Sequence, residues 1–265
     1  MYPEFFQKEF RFQLLISRHL LLFFLSFYMY NLNMEFTKSL IKGKLIKRYK
    51  RFFVDVKLNK EIVTAHCPNT GSMKGLLDEG NEVLIFKHDN PKRKLKYGLE
   101  IIKAKQNLVG VNTHRANKIV EHGLKNNLIN ELKNSDNIKP EVFFNKETRF
   151  DFLLKKKEQK IFVEVKNVTL FRDKKTAEFP DAVTSRGSKH LITLIDAIKK
   201  GYKTYIIFLV QIQNMEKFKI AKDIDNDYYQ NYLIAKKAGV NFLAYRCKIN
   251  SKEIIIEKKI KIIND

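Results

Sequence analysis

Two short apolar runs in the middle of the chain carry ionisable side chains at positions where a buried strand normally has none. Asp151 lies within Arg149–Leu154, and Glu164 and Lys166 lie within Ile161–Lys166. Both runs have the apolar content of strands that pack against a core, and an unpaired charge inside a sheet is costly. The pattern constrains the fold, because strands of this kind do not bury ionisable groups without a partner or a function for them.

The segment between the two runs, Lys155–Lys160, is polar and turn-like, so the runs are predicted to pair as a β-hairpin. This pairing brings Asp151 beside Glu164 at one edge of the sheet. Side chains two positions apart on a strand share a face, so Glu164 and Lys166 point the same way. Two adjacent carboxylates repel each other unless they share a cation, and oxygen ligands select Mg²⁺ or Mn²⁺.

Asp151, Glu164 and Lys166 are therefore the candidate catalytic residues of a metal-dependent phosphodiester hydrolysis, with the two carboxylates as metal ligands. The metal acts in such a site as a Lewis acid and lowers the pKa of a bound water, while the lysine orients that water or stabilises charge on the phosphate. The alternative is a solvated Glu–Lys pair on an exposed strand, which so short a motif does not exclude.

The charge of the chain indicates a polyanionic partner. Lys and Arg number 51 against 29 Asp and Glu, which gives a formal net charge of +22. Residues 1–33 contain three basic and two acidic side chains, so +21 falls on residues 34–265. Binding of Lys and Arg to phosphates releases condensed counterions, which favours nucleic acid as the partner. The alternative is the Lys-rich and Asn-rich composition of an AT-rich genome.

Residues 1–33 differ in composition from everything that follows. The run Leu20–Tyr30 is continuously apolar and comes after two arginines, as in the h-region of a signal peptide, but no small-residue cleavage site follows it. A longer span would place Arg18 inside a bilayer. We interpret 1–33 as a spurious extension with Met34 as the true first residue. A membrane-tethered protein is the alternative.

The rest of the chain divides into two parts. Residues 34–115 contain short strands punctuated by Gly, Pro and Asn, which indicate a small barrel or sandwich, and their basic, aromatic surface favours an OB-like barrel. Residues 116–265 alternate strands with helices, which indicates a mixed α/β sheet. Helices are predicted at Lys118–Leu132, Arg186–Lys200 (ended by a glycine) and around Tyr228–Ala238, and the last strand at 240–245.

Candidate nucleic-acid contacts form three groups. The first combines cations with aromatic rings, which contact phosphates and stack on bases: Arg48, Tyr49, Lys50, Arg51 and Phe52. The second is a turn whose N–H and hydroxyl groups suit a phosphate, with a plain tight loop as the alternative: Asn69, Thr70 and Ser72. The third opens the helix after the acidic site and is expected to contact phosphate or orient that site: Arg186, Lys189 and His190. For the histidine, a satisfied position at a helix boundary is the alternative.

Many of these segments occur in the order found in one protein family. The matching segments are Arg48–Phe52, Cys67–Met73, Gly110–Thr113 with Asn117, Arg149 with Asp151, Val163–Leu170, Phe179–Thr184, and Arg186–Gly187 with Lys189–Leu191. On these residues the chain from about Lys38 onward resembles the sugar fermentation stimulation protein A (SfsA) family. The resemblance implies an OB-like small β-barrel (34–115) followed by a PD-(D/E)xK, restriction-endonuclease-like, mixed α/β domain (116–265).

The resemblance also implies site residues. Asp151, Glu164 and Lys166 match the nuclease-type motif, and Glu121 and Glu147 become rival candidates for a further metal ligand. Ser188 departs from the family pattern, in which a longer polar residue is expected, and residues 1–33 have no counterpart.

We therefore expect a cytoplasmic DNA-binding protein with Mg²⁺- or Mn²⁺-dependent hydrolysis of DNA and no small-molecule cofactor. Only two cysteines in the chain agree with a reducing compartment. A non-catalytic DNA-binding regulator of sugar or maltose metabolism, with the nuclease-like domain as a scaffold, is the alternative that the resemblance also implies. Whether the chain forms a homodimer is left open.

Overall fold

The computed structural model describes residues 34–263, so the apolar segment predicted at 1–33 lies outside it. The helices of this range are α1 (Ala116–Lys125), α2 (Ser185–Lys199) and α3 (Asn226–Lys237). The strands are β1 (Ile41–Tyr49), β2 (Phe53–Lys57), β3 (Ile62–His66), β4 (Glu82–Lys87), β5 (Tyr97–Ala104), β6 (Asn107–Gly110), β7 (Asp136–Phe143), β8 (Arg149–Lys156), β9 (Gln159–Val168), β10 (Leu170–Phe171), β11 (Thr176–Phe179), β12 (Lys203–Val210), β13 (Lys217–Ile220), β14 (Asn241–Ile249), β15 (Ile254–Lys259) and β16 (Lys261–Ile262). Within 34–263, no helix combines the length and apolar character that crossing a membrane requires.

Strands β1 to β5 close into a barrel. β1 pairs with β2 and β4, β2 pairs with β3, β4 pairs with β5, and a short parallel pairing between β3 and β5 closes the circle. Burial alternates along β2, where Val54 and Val56 enter the core and their neighbours do not, as in a strand with one wet face. The barrel predicted for the first part of the chain is confirmed.

The second part is built on a six-stranded mixed sheet in the order β15-β14-β12-β9-β8-β7. β12 runs parallel to both of its neighbours, β9 and β14, and is buried along nearly its whole length. A continuously apolar strand of this kind is expected where a sheet is covered on both faces. Helix α2 packs on β9 and β12, α3 packs on α2, and α1 packs on β9 and β15. The predicted mixed α/β sheet is confirmed.

Two of the predicted elements have different bounds in the structure. The helix predicted to reach Leu132 ends at Lys125, because Asn127 adopts a left-handed conformation (φ +56°) that stops the helix. The last predicted strand continues to Ile249 and turns into β15. The glycine predicted to end the second helix does so, since Gly201 has a positive φ and its N–H bonds to Ile198 O.

Backbone hydrogen bonds join the barrel to the α/β sheet. Gly110 N donates to Gln211 O (2.9 Å), and Gln213 N donates to Leu108 O (3.0 Å). The buried Gln211 amide also donates through Nε2 to Asn167 Oδ1 (2.6 Å), next to the candidate catalytic lysine. The seam between the barrel and the sheet therefore supports the end of β9 that carries the candidate site.

Replacing Gly110 by Ala should destabilise this seam. A Cβ at this position would lie 2.6 Å from Gln211 Oε1 and 3.0 Å from Ile254 Cδ1. Forced overpacking of this kind costs about 1–3 kcal/mol, so thermal unfolding followed by circular dichroism should show a Tm roughly 2–12 °C lower. In a Gln211→Ala background the same glycine substitution should cost clearly less, and an equal cost in both backgrounds would contradict a clash with Gln211.

Candidate functional site

The predicted hairpin places the candidate carboxylates side by side. β8 and β9 pair antiparallel, with Phe152 opposite Val163 as the last pair before the site. Asp151 is next to Phe152 on β8, and Glu164 is next to Val163 on β9. At this end of the hairpin, Val165 N donates to the side-chain oxygen Asp151 Oδ2 at 2.7 Å.

Asp151 receives a second hydrogen bond from outside the sheet. Asn117, in the first turn of α1, donates through Nδ2 to Asp151 Oδ1 at 2.7 Å. The same amide lies 3.3 Å from Glu141 Oε1. Helix α1 therefore holds the Asp151 carboxylate from one side and the β9 backbone holds it from the other, which fixes the direction of both oxygens.

Glu164 lies deeper and meets two basic side chains. Its side chain is 5% exposed, and its Oε1 accepts from Lys166 Nζ at 2.8 Å. The same oxygen contacts His190 Nδ1, which α2 presents from above the sheet, and Lys166 Nζ lies 3.4 Å from that nitrogen. The other oxygen, Oε2, is buried and has no hydrogen-bond partner among residues 34–263.

The two carboxylates respond in opposite directions to this environment. Burial, and then the charge of Glu164, raises the pKa of Asp151 to about 7. Burial alone would also raise the pKa of Glu164, but the Lys166 ammonium and the His190 ring outweigh it and lower that pKa. The site thus holds one firmly ionised carboxylate beside one that resists ionisation until a positive charge arrives.

These residues fit a divalent cation of the Mg²⁺ type. An unpartnered buried carboxylate oxygen on Glu164 next to a second carboxylate provides hard oxygen ligands and an unmet need for positive charge. Within residues 34–263, His, Cys, Asp and Glu side chains do not assemble in threes as a metal site. Mg²⁺ is commonly held by only one or two carboxylates, with waters and substrate phosphates completing the shell.

The larger ligand set predicted from the family resemblance is not assembled. Glu121 pairs with Lys125 on α1, and the side chain of that helix that reaches Asp151 is Asn117, one turn earlier. Glu147 is exposed in the loop before β8 and pairs with Lys189. Both rival carboxylates are thus neutralised by lysines, because the loop and the helix direct them away from the strand edge.

His190, which is predicted either to contact phosphate or to orient the acidic site, lies directly against that site. It is buried, and its Nδ1 lies against Glu164 while its Nε2 faces Arg186 Nε at 3.5 Å. The other members of this predicted group, Arg186 and Lys189, are exposed on α2. This contact is the one that the second predicted role, orienting the acidic site, requires, and the role itself stays a prediction.

The cationic and aromatic group around Arg48 divides between structure and surface. Arg48 donates to the carbonyls of Asn69 (2.7 Å), Gly71 (3.0 Å) and Arg51 (2.9 Å), so it holds the turn that follows Cys67. The ring of Tyr49 stacks on Phe53, and its hydroxyl donates to an aspartate of β2. The members that face solvent are Lys50, Arg51 and Phe52.

The turn Asn69–Ser72 is also partly committed to the protein itself. Asn69 is buried, and its Oδ1 accepts from Gly71 N at 2.8 Å, so its side chain stabilises the turn itself, and its contact with nucleic acid stays a prediction. Ser72 Oγ donates to Asp181 O at 2.7 Å, and Asp181 Oδ2 accepts from Met73 N at 3.0 Å. Thr70 remains exposed at the tip of the turn.

A cleft of about 480 Å³ lies between this turn and the start of α2. One wall carries two arginines and hydroxyl groups from the barrel, and the other is the segment that leads into α2. Its lining includes Arg48, Arg51, Thr70, Ser72, Asp181, Val183 and Thr184. The cleft thus places barrel residues that are predicted to contact nucleic acid opposite the start of the helix that carries His190.

Two residues important to this arrangement had no role in the sequence analysis. Asn117 orients Asp151, and Asp181 holds the turn that forms one wall of the cleft. Both lie in segments that resemble the SfsA family, and only this resemblance could have indicated from the sequence that they matter. Local periodicity does not reveal them, because each acts on a partner far away in the chain.

Comparison with known proteins agrees with the two-part architecture. Residues 46–111 match the family described as the SfsA N-terminal OB domain, and residues 114–253 match the sugar fermentation stimulation protein RE domain. A sugar fermentation stimulation protein homolog of Pelagibacter ubique (strain HTCC1062) is 78% identical over 231 residues, which cover 87% of this chain and 100% of that protein. The homolog of Maricaulis maris (strain MCS10) is 41% identical over 231 residues, covering 86% and 98%.

A solved structure has the same fold. The structure of Pyrococcus furiosus SfsA in complex with Ca²⁺ superposes with a TM-score of 0.79 at 26% sequence identity, covering 87% of this chain and 98% of that one. The barrel, the mixed sheet and both family matches occur in one order along the chain. The chain belongs to the sugar fermentation stimulation protein (SfsA) family.

Proposed function

We propose that this chain is a divalent-cation-dependent nuclease that hydrolyses DNA at Asp151, Glu164 and Lys166. The observation that carries the proposal is the buried, unpartnered Oε2 of Glu164 beside a carboxylate whose pKa is raised to about 7. Uncompensated groups of this kind are costly in a fold and recur at catalytic sites. A cation held by both carboxylates would remove the cost.

Mg²⁺ or Mn²⁺, when bound, would supply Lewis acidity and lower the pKa of a water. Asp151 and Glu164 would hold the ion, with Asn117 and Val165 N directing the Asp151 oxygens toward it. Lys166 projects from the same strand, and its ammonium lies where it can stabilise negative charge on a phosphate. His190 positions Glu164 through its Nδ1.

Two further observations support a cation and a polyanion as the partners. The related Pyrococcus furiosus protein was solved in complex with Ca²⁺, a hard cation that takes oxygen ligands as Mg²⁺ does. The +22 charge of the chain suits a phosphate backbone. Basic residues occur in both parts of the chain, and a long polyanion such as DNA can contact both, whereas a small phosphate ester cannot.

A second candidate function is a DNA-binding regulator that has the same fold without turnover. One observation favours it: Glu164 Oε1 already contacts two basic side chains of the protein, Lys166 and His190. The ammonium of Lys166 is also occupied by Glu164, at 2.8 Å. In this alternative, the salt bridge is a structural pair and the domain serves as a scaffold.

Lys166→Ala should reduce DNA hydrolysis about 100-fold, the usual effect of removing one group that stabilises transition-state charge. The measurement is cleavage of labelled DNA by purified protein with Mg²⁺ or Mn²⁺, and with EDTA as the blank. Lys160→Ala is the matched control, since it removes the same charge from an exposed position on the same strand.

The assay separates the two candidates. Metal-dependent cleavage by wild type and Lys160→Ala, with loss in Lys166→Ala, supports the nuclease. Cleavage that persists equally in Lys166→Ala would come from a contaminant or another site and would contradict the proposal. DNA binding without cleavage in any variant would instead support the regulator.

A further inference from the structure

The tip of the β1–β2 hairpin is strained and exposed. Lys50 and Arg51 are consecutive non-glycine residues in the left-handed region, with φ of +46° and +61°. Strain of this kind persists where the surrounding structure enforces it. Here Arg48 enforces it, because its Nε bonds to Arg51 O at 2.9 Å. Arg51 itself lines the cleft.

The next residue begins an aromatic surface on the barrel. Phe52 is 43% exposed and stacks on His66, with ring centroids 6.4 Å apart and planes within 7°. His66 pairs with Gly98, and a Cβ at Gly98 would lie 3.1 Å from His88 Nε2, so His88 covers the same spot. Three flat rings therefore follow one another from the hairpin tip across the closure of the barrel.

A basic loop borders the far end of this surface. The loop between β4 and β5 contains Lys92, Arg93, Lys94 and Lys96. Burial, and then the charge of Arg93, lowers the pKa of both His66 and His88, so the cation lies close to both rings. The two histidines are consequently neutral at pH 7 and present ring faces, while the charge comes from the loop.

The near end of the surface leads into the cleft and toward the acidic site. Arg51 lines the cleft, and Thr184, on the opposite wall, is the N-cap of α2. His190 is six residues further along that helix, which corresponds to about 9 Å at 1.5 Å per residue. The cleft therefore lies between Arg51, next to the ring faces, and the helix that carries His190 to the acidic site.

We propose that this surface binds single-stranded DNA, with an unpaired base on Phe52, the backbone along Arg51 and the cleft, and the strand continuing to Glu164 and Asp151. The inference deepens the proposed nuclease function and rests on it. It names an unpaired strand as the substrate class.

An unpaired strand fits these features better than a duplex does. A base inside a duplex has both faces covered by its neighbours, so only an unpaired base can stack on the exposed Phe52 ring. A cleft of about 480 Å³ has the size of a pocket for a small ligand or one nucleotide, which an unpaired strand can enter one nucleotide at a time.

The test is a binding measurement in EDTA, so that its result does not depend on hydrolysis. Fluorescence anisotropy with labelled oligothymidylate and with a blunt hairpin duplex gives the two affinities. We expect Phe52→Ala to weaken single-strand binding about tenfold, the effect of losing one base-stacking ring, and to leave duplex binding unchanged. Ile62→Ala is the matched control, because Ile62 is an exposed apolar residue at the other end of the same hairpins.

Arg51→Asn tests the cleft without disturbing the turn, since Asn tolerates the left-handed conformation. It should weaken single-strand binding and lower its salt dependence more than Lys60→Asn, which removes a charge from the opposite end of the barrel hairpin. Equal affinity for single strand and duplex, or variants that behave like their controls, would overturn the inference. A protein that prefers single strands but never cleaves them would overturn only the proposed nuclease function.

Discussion

Asp151→Asn should abolish metal-dependent hydrolysis and, in the same protein, raise the free energy of unfolding. Loss of a carboxylate ligand removes several kcal/mol of metal-derived stabilisation of the transition state, which at 1.36 kcal/mol per factor of ten is about three orders of magnitude in rate. The stability gain has a separate cause. Asp151 is partly buried beside Glu164, so its charge works against folding when no cation is bound.

The sign of the stability effect follows from the pKa of Asp151. Folding raises this pKa from 3.8 to about 7. Between these values the unfolded chain has lost its proton while the folded protein keeps it, so stability falls as pH rises through this window and stays low above it. The shift corresponds to at most about 4 kcal/mol. The neutral amide avoids this cost, and its Oδ1 can still accept from Val165 N.

We expect a net gain of about 2 kcal/mol at pH 8 in EDTA, seen as a Tm roughly 4–8 °C above wild type. The difference should shrink toward pH 4, where both proteins carry a neutral side chain. Added Mg²⁺ should raise the Tm of wild type more than that of the variant, because only wild type keeps both carboxylate ligands. A variant that unfolds below wild type at pH 8 would show that the Asp151 charge is not a burden on the fold.

The parts of the fold that could be predicted from sequence depend on local alternation. The hairpin carrying Asp151 and Glu164 follows from two apolar runs and a polar turn, and β8 and β9 pair as expected. The barrel follows from short strands and frequent turn residues. The shared face of Glu164 and Lys166 follows from the two-residue period, and their contact confirms it.

The rest of the site depends on contacts between distant segments. Asn117 meets Asp151 across 34 positions, and Met73 N meets Asp181 across 108. Such contacts arise from how helices and loops pack on the sheet, which no local pattern encodes. The same reason explains why the sequence did not reveal that Arg48 binds loop carbonyls and that Asn69 is buried in its own turn: the path of the backbone around them was not visible.

Glu164→Gln should have the opposite effect on stability from Asp151→Asn, although the two carboxylates share one site. Glu164 Oε1 accepts from Lys166 Nζ at 2.8 Å and contacts His190 Nδ1, and these three side chains are nearly buried. Breaking a buried ion pair by removing one partner costs about 3–5 kcal/mol, because the other charge is left uncompensated. Since Asp151 can take over part of that role, we expect a loss of about 3 kcal/mol and a Tm lower by roughly 6–12 °C in EDTA.

The double variant Glu164→Gln/Lys166→Met is the decisive control for Glu164, because it removes the orphaned ammonium together with its partner. Its Tm should recover most of the loss seen in Glu164→Gln, as replacing a whole buried pair is far less costly than breaking it. Both variants lack the carboxylate of Glu164, and the double variant also lacks Lys166, so neither should cleave DNA. If Glu164→Gln were as stable as wild type, the ion pair between Glu164 and Lys166 would not contribute to the stability of the fold. In that case, Lys166 would be free to face the phosphate in the resting protein.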